Sequence, residues 1–150
     1  MPTYASNTEV TPDRSRAEIE RTLVRFGASR FMYGWDEKAA VVMFDMRKRR
    51  LKFVLPLPER KDFGRTPTGK VRTANSANEA YDQAVRQRWR ALALAIKAKL
   101  ESVESGIEQF EEAFMAQIVL PDGATVGEWM VPQIAIAYEK QAMPPLLGTG

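Results

Sequence analysis

Between Tyr81 and Ile107 the residues Tyr81, Val85, Trp89, Leu92, Ile96, Leu100, Val103 and Ile107 follow one another at spacings of three or four. That period belongs to one face of an α-helix, and over about seven turns it makes the longest element of the chain. Asn75 or Ser76 caps its start, and Gly106 marks a hinge or break. Arg86, Arg90 and Lys97 fall on one flank of the stripe, Arg88 and Lys99 on another.

The elements before it change period. Thr11 ahead of Pro12 and Asp13 predicts a helix start. Ile19, Leu23 and Phe26 then recur at helical spacing, and Gly27 closes the helix in a left-handed conformation. Arg14, Arg21 and Arg25 lie on its outer faces. Phe31, Tyr33 and Trp35 alternate as a strand, and Asp36–Lys38 makes a turn. Val41 to Met46 is apolar on both faces up to Asp45, as in a strand covered on both sides. Arg47–Arg50 is a second turn, and Leu51, Phe53 and Leu55 alternate until Pro56 stops the strand. Turns this short join antiparallel neighbours.

Residues 56–75 form a long basic loop, of a length that is usually functional or mobile. Past Gly106, Ile107, Phe110, Phe114 and Ile118 keep the helical period while Glu108, Glu111 and Glu112 face out. Pro121-Asp122-Gly123 is a turn. Thr125 and Glu128 have capping-box spacing and open a helix with Trp129, Ile134 and Tyr138 that bends near Pro132. The expected fold is α+β: an N-terminal helix, a three-stranded antiparallel meander, a long amphipathic helix and C-terminal helices. A single domain over 13–142 lies between flexible tails at 1–12 and 143–150.

The 150 residues include neither histidine nor cysteine. That subtraction removes the commonest general base, zinc sites of the nitrogen and sulfur type, disulfides, and Ser-His-Asp or Cys-His catalysis. No apolar run reaches about 18 residues, and the N-terminus lacks the pattern of a secretory signal. The expectation is a soluble, cytoplasmic protein without cofactor or membrane contact.

Charge is distributed unevenly. Residues 47–99 hold 15 Lys and Arg against 4 Asp and Glu, whereas residues 100–150 hold 1 against 8. Such asymmetry points to an anionic partner, or to an acidic end packed near the basic middle. Arg47, Lys48, Arg49, Arg50 and Lys52 are the most concentrated cations. They read either as phosphate contacts or as solvated charges that protect a sheet edge. Arg65, Lys70, Arg86 and Arg90 would extend the contact, and nothing announces readout of bases. Phe31, Tyr33, Trp35 and Phe53 could stack on unpaired bases but read better as core; Phe63, in the basic loop, is the freer candidate. Trp89 reads as core or subunit contact.

The order helix, three strands, helix is also that of restriction-endonuclease-like nucleases, which hold Mg²⁺ with acids on their second and third strands. Asp45 and Lys52 could fill two of those places, but Arg50 stands where an acid belongs. The glycines match neither phosphate-loop nor dinucleotide spacing.

Arg30-Phe-Met-Tyr-Gly-Trp35, Arg86-Gln-Arg-Trp-Arg-Ala-Leu-Ala-Leu94 and Leu120-Pro-Asp-Gly123 through Glu128-Trp129 resemble a family of short bacteriophage and prophage proteins over about residues 16–147. The order of elements is similar to the core of phage single-strand annealing proteins of the Redβ and RecT type. There, a hairpin and a helix line a basic groove in an oligomer. The first resemblance implies a phage origin, and the second, taken with the basic segments, leads to the expectation of a phage-encoded, non-enzymatic nucleic-acid-binding protein of recombination or replication. Single-stranded DNA is the favoured partner, self-assembly is expected, and the acidic Glu101–Glu112 stretch could pair with a neighbour's basic surface or recruit a host or phage replication protein. The alternatives are a module that modulates a host machine such as RNA polymerase, and a degenerate nuclease.

Overall fold

In the computed structural model, which describes residues 2–143 and the side chains of 14–143, the chain runs through helix α1 (Pro2–Arg25) and strands β1 (Ser29–Trp35), β2 (Ala39–Met46) and β3 (Arg49–Pro56). A 3₁₀ turn (Arg60–Phe63) leads to α2 (Ala74–Glu104), and α3 (Phe110–Ala113), a second 3₁₀ turn (Met115–Gln117) and α4 (Val126–Lys140) follow. The expected α+β class and element order are present. Helix α1 starts before the Thr11–Pro12 signal, because an interior proline removes one N–H donor without barring the turns ahead of it. The expected tail at 143–150 lies, from Pro144 on, outside the described residues.

The three strands are antiparallel in the order β1-β2-β3, with Val42 opposite both Tyr33 and Phe53. Ala40, Val42, Phe44 and Met46 of β2 and Leu51, Phe53 and Leu55 of β3 point to one face and are buried there. Helix α2 supplies Tyr81, Val85, Trp89, Leu92, Ile96 and Leu100 to that face, and α1 adds Ile19 and Leu23. Phe44 stacks on Phe53, which meets the edge of Phe114. The other face of β2 is only half-buried, so the expected second cover is not present among the described residues. Trp35, expected on the core face, is 60 % exposed at the end of β1, while Phe31 and Tyr33 pack against the core.

Helix α2 begins two or three residues earlier than expected. Thr73, not Asn75 or Ser76, is the N-cap, its hydroxyl accepting from the Ser76 N–H. All three residues suit that role, and only Thr73 has the extended backbone it needs. Gly106 ends the helix in a left-handed conformation: the Gly106 and Ile107 N–H groups donate to the Val103 and Ser102 carbonyls. Ile107 therefore leaves the stripe and is 78 % exposed. The helical period beyond it shrinks to α3 and a 3₁₀ turn, which still bury Phe110 and Phe114. The turn at Pro121-Asp122-Gly123 and the Thr125–Glu128 capping box form as expected.

The second hairpin turn is tighter than the expected Arg47–Arg50. Met46 pairs with Arg49, so only Arg47 and Lys48 lie in the loop, at φ 49° and 64°. Two left-handed residues in a two-residue loop form a type I′ turn, for which Asn-Gly is favoured and Arg-Lys is strained. Replacing Arg47-Lys48 by Asn-Gly should raise the unfolding free energy by about 1 kcal/mol or more. Urea unfolding would report this as a higher midpoint at unchanged slope; an unmoved or lower midpoint would contradict the strain.

Candidate nucleic-acid interface

The cations singled out in the sequence fall into three groups. The first lies at the β2–β3 hairpin. Arg47 and Lys48 project from its tip, with Arg47 over the Phe110 ring. The next three cations have carboxylate partners. Arg49 Nε donates to Glu111 at 2.9 Å, Arg50 Nε to Asp45 at 2.9 Å, and Lys52 Nζ lies 3.9 Å from Glu128. Glutamates of the acidic C-terminal third thus neutralise two of the five hairpin cations. The Arg50 hydrogen bond holds the Asp45 carboxyl below its usual range against some desolvation, and the Arg50 guanidinium is raised in turn. Glu128 is lowered mainly by the Thr125 N–H and hydroxyl, with Lys52 assisting.

The second group lies in the 56–75 loop, at the opposite end of the sheet. The loop leaves β3 beside the first turn, where the Leu57 N–H donates to the Lys38 carbonyl. Strands of eight residues separate it from Arg47 by roughly 25 Å. It is built, not structureless. Arg65 pairs with Val71, the Thr66 and Lys70 backbones bond to each other, and Arg65 Nη1 donates to the Gly69 carbonyl. Phe63, expected to be free for stacking, meets the edge of Tyr81 and packs on the core; Arg60 covers the Tyr81 ring at 4.1 Å.

The third group is on α2. Arg88 and Lys99, on one flank, turn inward and donate to the Pro56 and Ala113 carbonyls, each at 2.7 Å. Arg86, Arg90 and Lys97, on the other, lie towards α1. The two helices pack side by side and run parallel, since both end at the hairpin end of the sheet, where Arg25, Phe26, Gly27, Glu101 and Glu104 border one cleft. With Arg25 level with Glu101–Glu104, the common rise of about 1.5 Å per residue puts Arg21 level with about Lys97 and Arg14 level with about Arg90.

Arg14 and Arg21 on the outer face of α1 and Arg86, Arg90 and Lys97 on α2 therefore lie at similar levels along two neighbouring helices. None of these five forms an ion pair among the described residues, and the cleft where the two helices end also carries Glu101 and Glu104. The contribution of α1 escaped the sequence-level site, although its arginines were legible as outward-facing. What was missing was that α1 and α2 are parallel neighbours. Two candidate aromatics change role as well. Tyr33 donates to the Arg16 carbonyl and to Glu20, and its hydroxyl pKa is pushed up to about 12 by burial and by Glu20. Trp35 stays open, with the Arg16 guanidinium 5.3 Å from its ring.

Asp45 does not resemble a metal ligand here. It accepts both Nε and Nη2 of Arg50, with Arg30 at 3.8 Å. Among the described residues no three acidic groups are close enough to hold a metal ion. The chain matches no protein-family model, no curated protein and no solved structure.

Because the folded-state pKa of Asp45 is depressed, its ion pair with Arg50 stabilises the fold above the ordinary carboxylate range, and this contribution is lost as pH falls through the lowered value. Asp45→Asn should therefore be less stable than the parent at neutral pH, with the gap closing as pH falls through and below the ordinary carboxylate range. Thermal unfolding across a pH series measures the gap; one that stays constant into acid would contradict the pairing.

Proposed function

We propose that this chain is a non-enzymatic nucleic-acid-binding protein that grips the sugar-phosphate backbone along helices α1 and α2 and at the β2–β3 hairpin tip. Single-stranded DNA is the favoured partner. The observation that carries this reading is that Arg14, Arg21, Arg86, Arg90 and Lys97 lie along two neighbouring parallel helices with no carboxylate partner among the described residues. Like charges so arranged repel one another, and phosphates laid along them would relieve the repulsion.

Arg86 extends the cationic track towards the start of α2, Arg65 and Lys70 add cations in the loop beside that end of the helix, and Arg47 and Lys48 supply a separate contact at the other end of the sheet. Arg49, Arg50 and Lys52 contribute less, because each already has a carboxylate within 4 Å. Trp35 supports the preference for unpaired bases, since an exposed indole beside an arginine is a stacking platform that tolerates any sequence. A setting in phage recombination or replication rests on the sequence resemblance alone.

Fluorescence anisotropy with single- and double-stranded oligonucleotides across a salt series tests the reading. Neutralising about four phosphates on a single strand gives a log–log slope near −3. Arg21→Glu with Arg90→Glu should weaken binding at least tenfold for all sequences alike, whereas Arg50→Ala should change it less than about twofold. Affinity that is absent at low salt, or indifferent to the double charge reversal, overturns the proposal.

A further inference from the structure

Two apolar surfaces lack a partner among the described residues. One is the outer face of the sheet, where Met32, Val41, Met43 and Val54 point away from α1 and α2. No helix packs across that face among the described residues. Val54 is 49 % exposed, and a Cβ built on Gly34, opposite Val41, would meet no atom within 4 Å. Yet β2 carries apolar residues on both faces, the composition of a strand covered twice.

The other surface is α4. Its sequence is apolar around most of the circumference, and none of its residues is buried. Val131, Ile134 and Tyr138 form one exposed stripe, with Val131 at 62 % and Tyr138 at 82 %. Trp129 and Ile136 form a second, and Glu128 and Glu139 run between the two. A helix apolar on most sides is one that another surface covers.

Within its own subunit α4 does not cover the sheet. Its start is tied beyond the β3 edge: the Val119 N–H donates to the Arg50 carbonyl and the Val126 N–H to the Ile118 carbonyl. Gly127 sits so close to Ala116 that an added Cβ would lie 2.9 Å from the Ala116 carbonyl oxygen. From there α4 packs on Met115–Gln117, and its first turn meets the β3 edge through Glu128, 3.9 Å from Lys52.

We propose that α4 of one copy lies on the open sheet face of a second copy, so that the chain assembles head to tail. The dimensions agree. A helix of 15 residues is about 22 Å long and about 10 Å wide. Three strands about 4.8 Å apart and about 27 Å long present a matching face. The charges agree as well. Arg30 and Arg50 share the single carboxylate of Asp45, at 3.8 and 2.9 Å, which leaves positive charge in excess at that end of the face. The outward ridge of α4 carries Glu139 as its open carboxylate, Glu128 being already held by Thr125 and Lys52.

Such a contact buries on the order of 1,000 Å² in total, the lower bound for a specific interface. Since the two surfaces differ, each added copy leaves one of each unsatisfied, and the series closes as a ring or continues as a filament. The inference does not rest on nucleic-acid binding, and its readout is mass in the absence of nucleic acid.

Analytical ultracentrifugation of the full chain from low micromolar to near-millimolar concentration tests it, alongside Ile134→Glu on α4 and Val54→Glu on the sheet face. Both sites are exposed, and circular dichroism checks that the variants fold. The parent should exceed dimer mass as concentration rises, and each variant alone should be monomeric. An equimolar mixture of the two should give a 1:1 dimer, because each retains the surface the other lacks. A parent that stays monomeric overturns the proposal. So does a Val54→Glu variant that still assembles, which points to α4 pairing with α4, or a mixture that stays monomeric.

Discussion

The contact between the α2 stripe and the buried face of the sheet is what the remaining structure is arranged around. Trp89, Ile96 and Leu100 meet a surface made by Phe44, Leu51, Phe53 and Leu55, and nearly every other buried side chain joins this one cluster. Its burial stabilises the molecule chiefly through apolar area removed from water. It also dictates where polar groups can be. Once that face of α2 is committed, Arg88 and Lys99 must reach sideways to backbone carbonyls, and Arg86, Arg90 and Lys97 are left along α1.

Much of this arrangement was legible from periodicity. The α2 stripe, the alternation in β3, the left-handed Gly27, the break at Gly106 and the Thr125–Glu128 box each have a local cause, and each forms. The misses also have local explanations. Arg47-Lys48 carries no turn signal, since nothing about two long cationic residues favours positive φ, and the strand pairing imposes it. The 56–75 loop was read by composition, which does not register that Phe63 anchors on Tyr81. The doubly apolar pattern of β2 was legible, but the described residues cover only one of its faces.

For the candidate site, residue type and flank were legible and juxtaposition was not. Charge counting treats residues 47–99 as one basic block. In three dimensions the block divides at the two ends of the sheet, and Asp45, Glu111 and Glu128 each take a cation from it. The same folding adds Arg14 and Arg21, which belong to a segment of nearly neutral balance. Net charge per segment is thus a poor guide to local potential when helices from different segments lie side by side.

The approach of Gly127 to Ala116 has a mechanical consequence. Helix α4 is held by its own subunit near its first turn and along one side of a single short 3₁₀ turn. It therefore behaves as a lever pivoting close to one end. With an arm of about 20 Å, a tilt of about 10° at the pivot would carry the Tyr138 end through some 3–4 Å, roughly the length of one residue along a strand. A substitution as small as a methyl group at position 127 would thus be amplified at the far end of the arm.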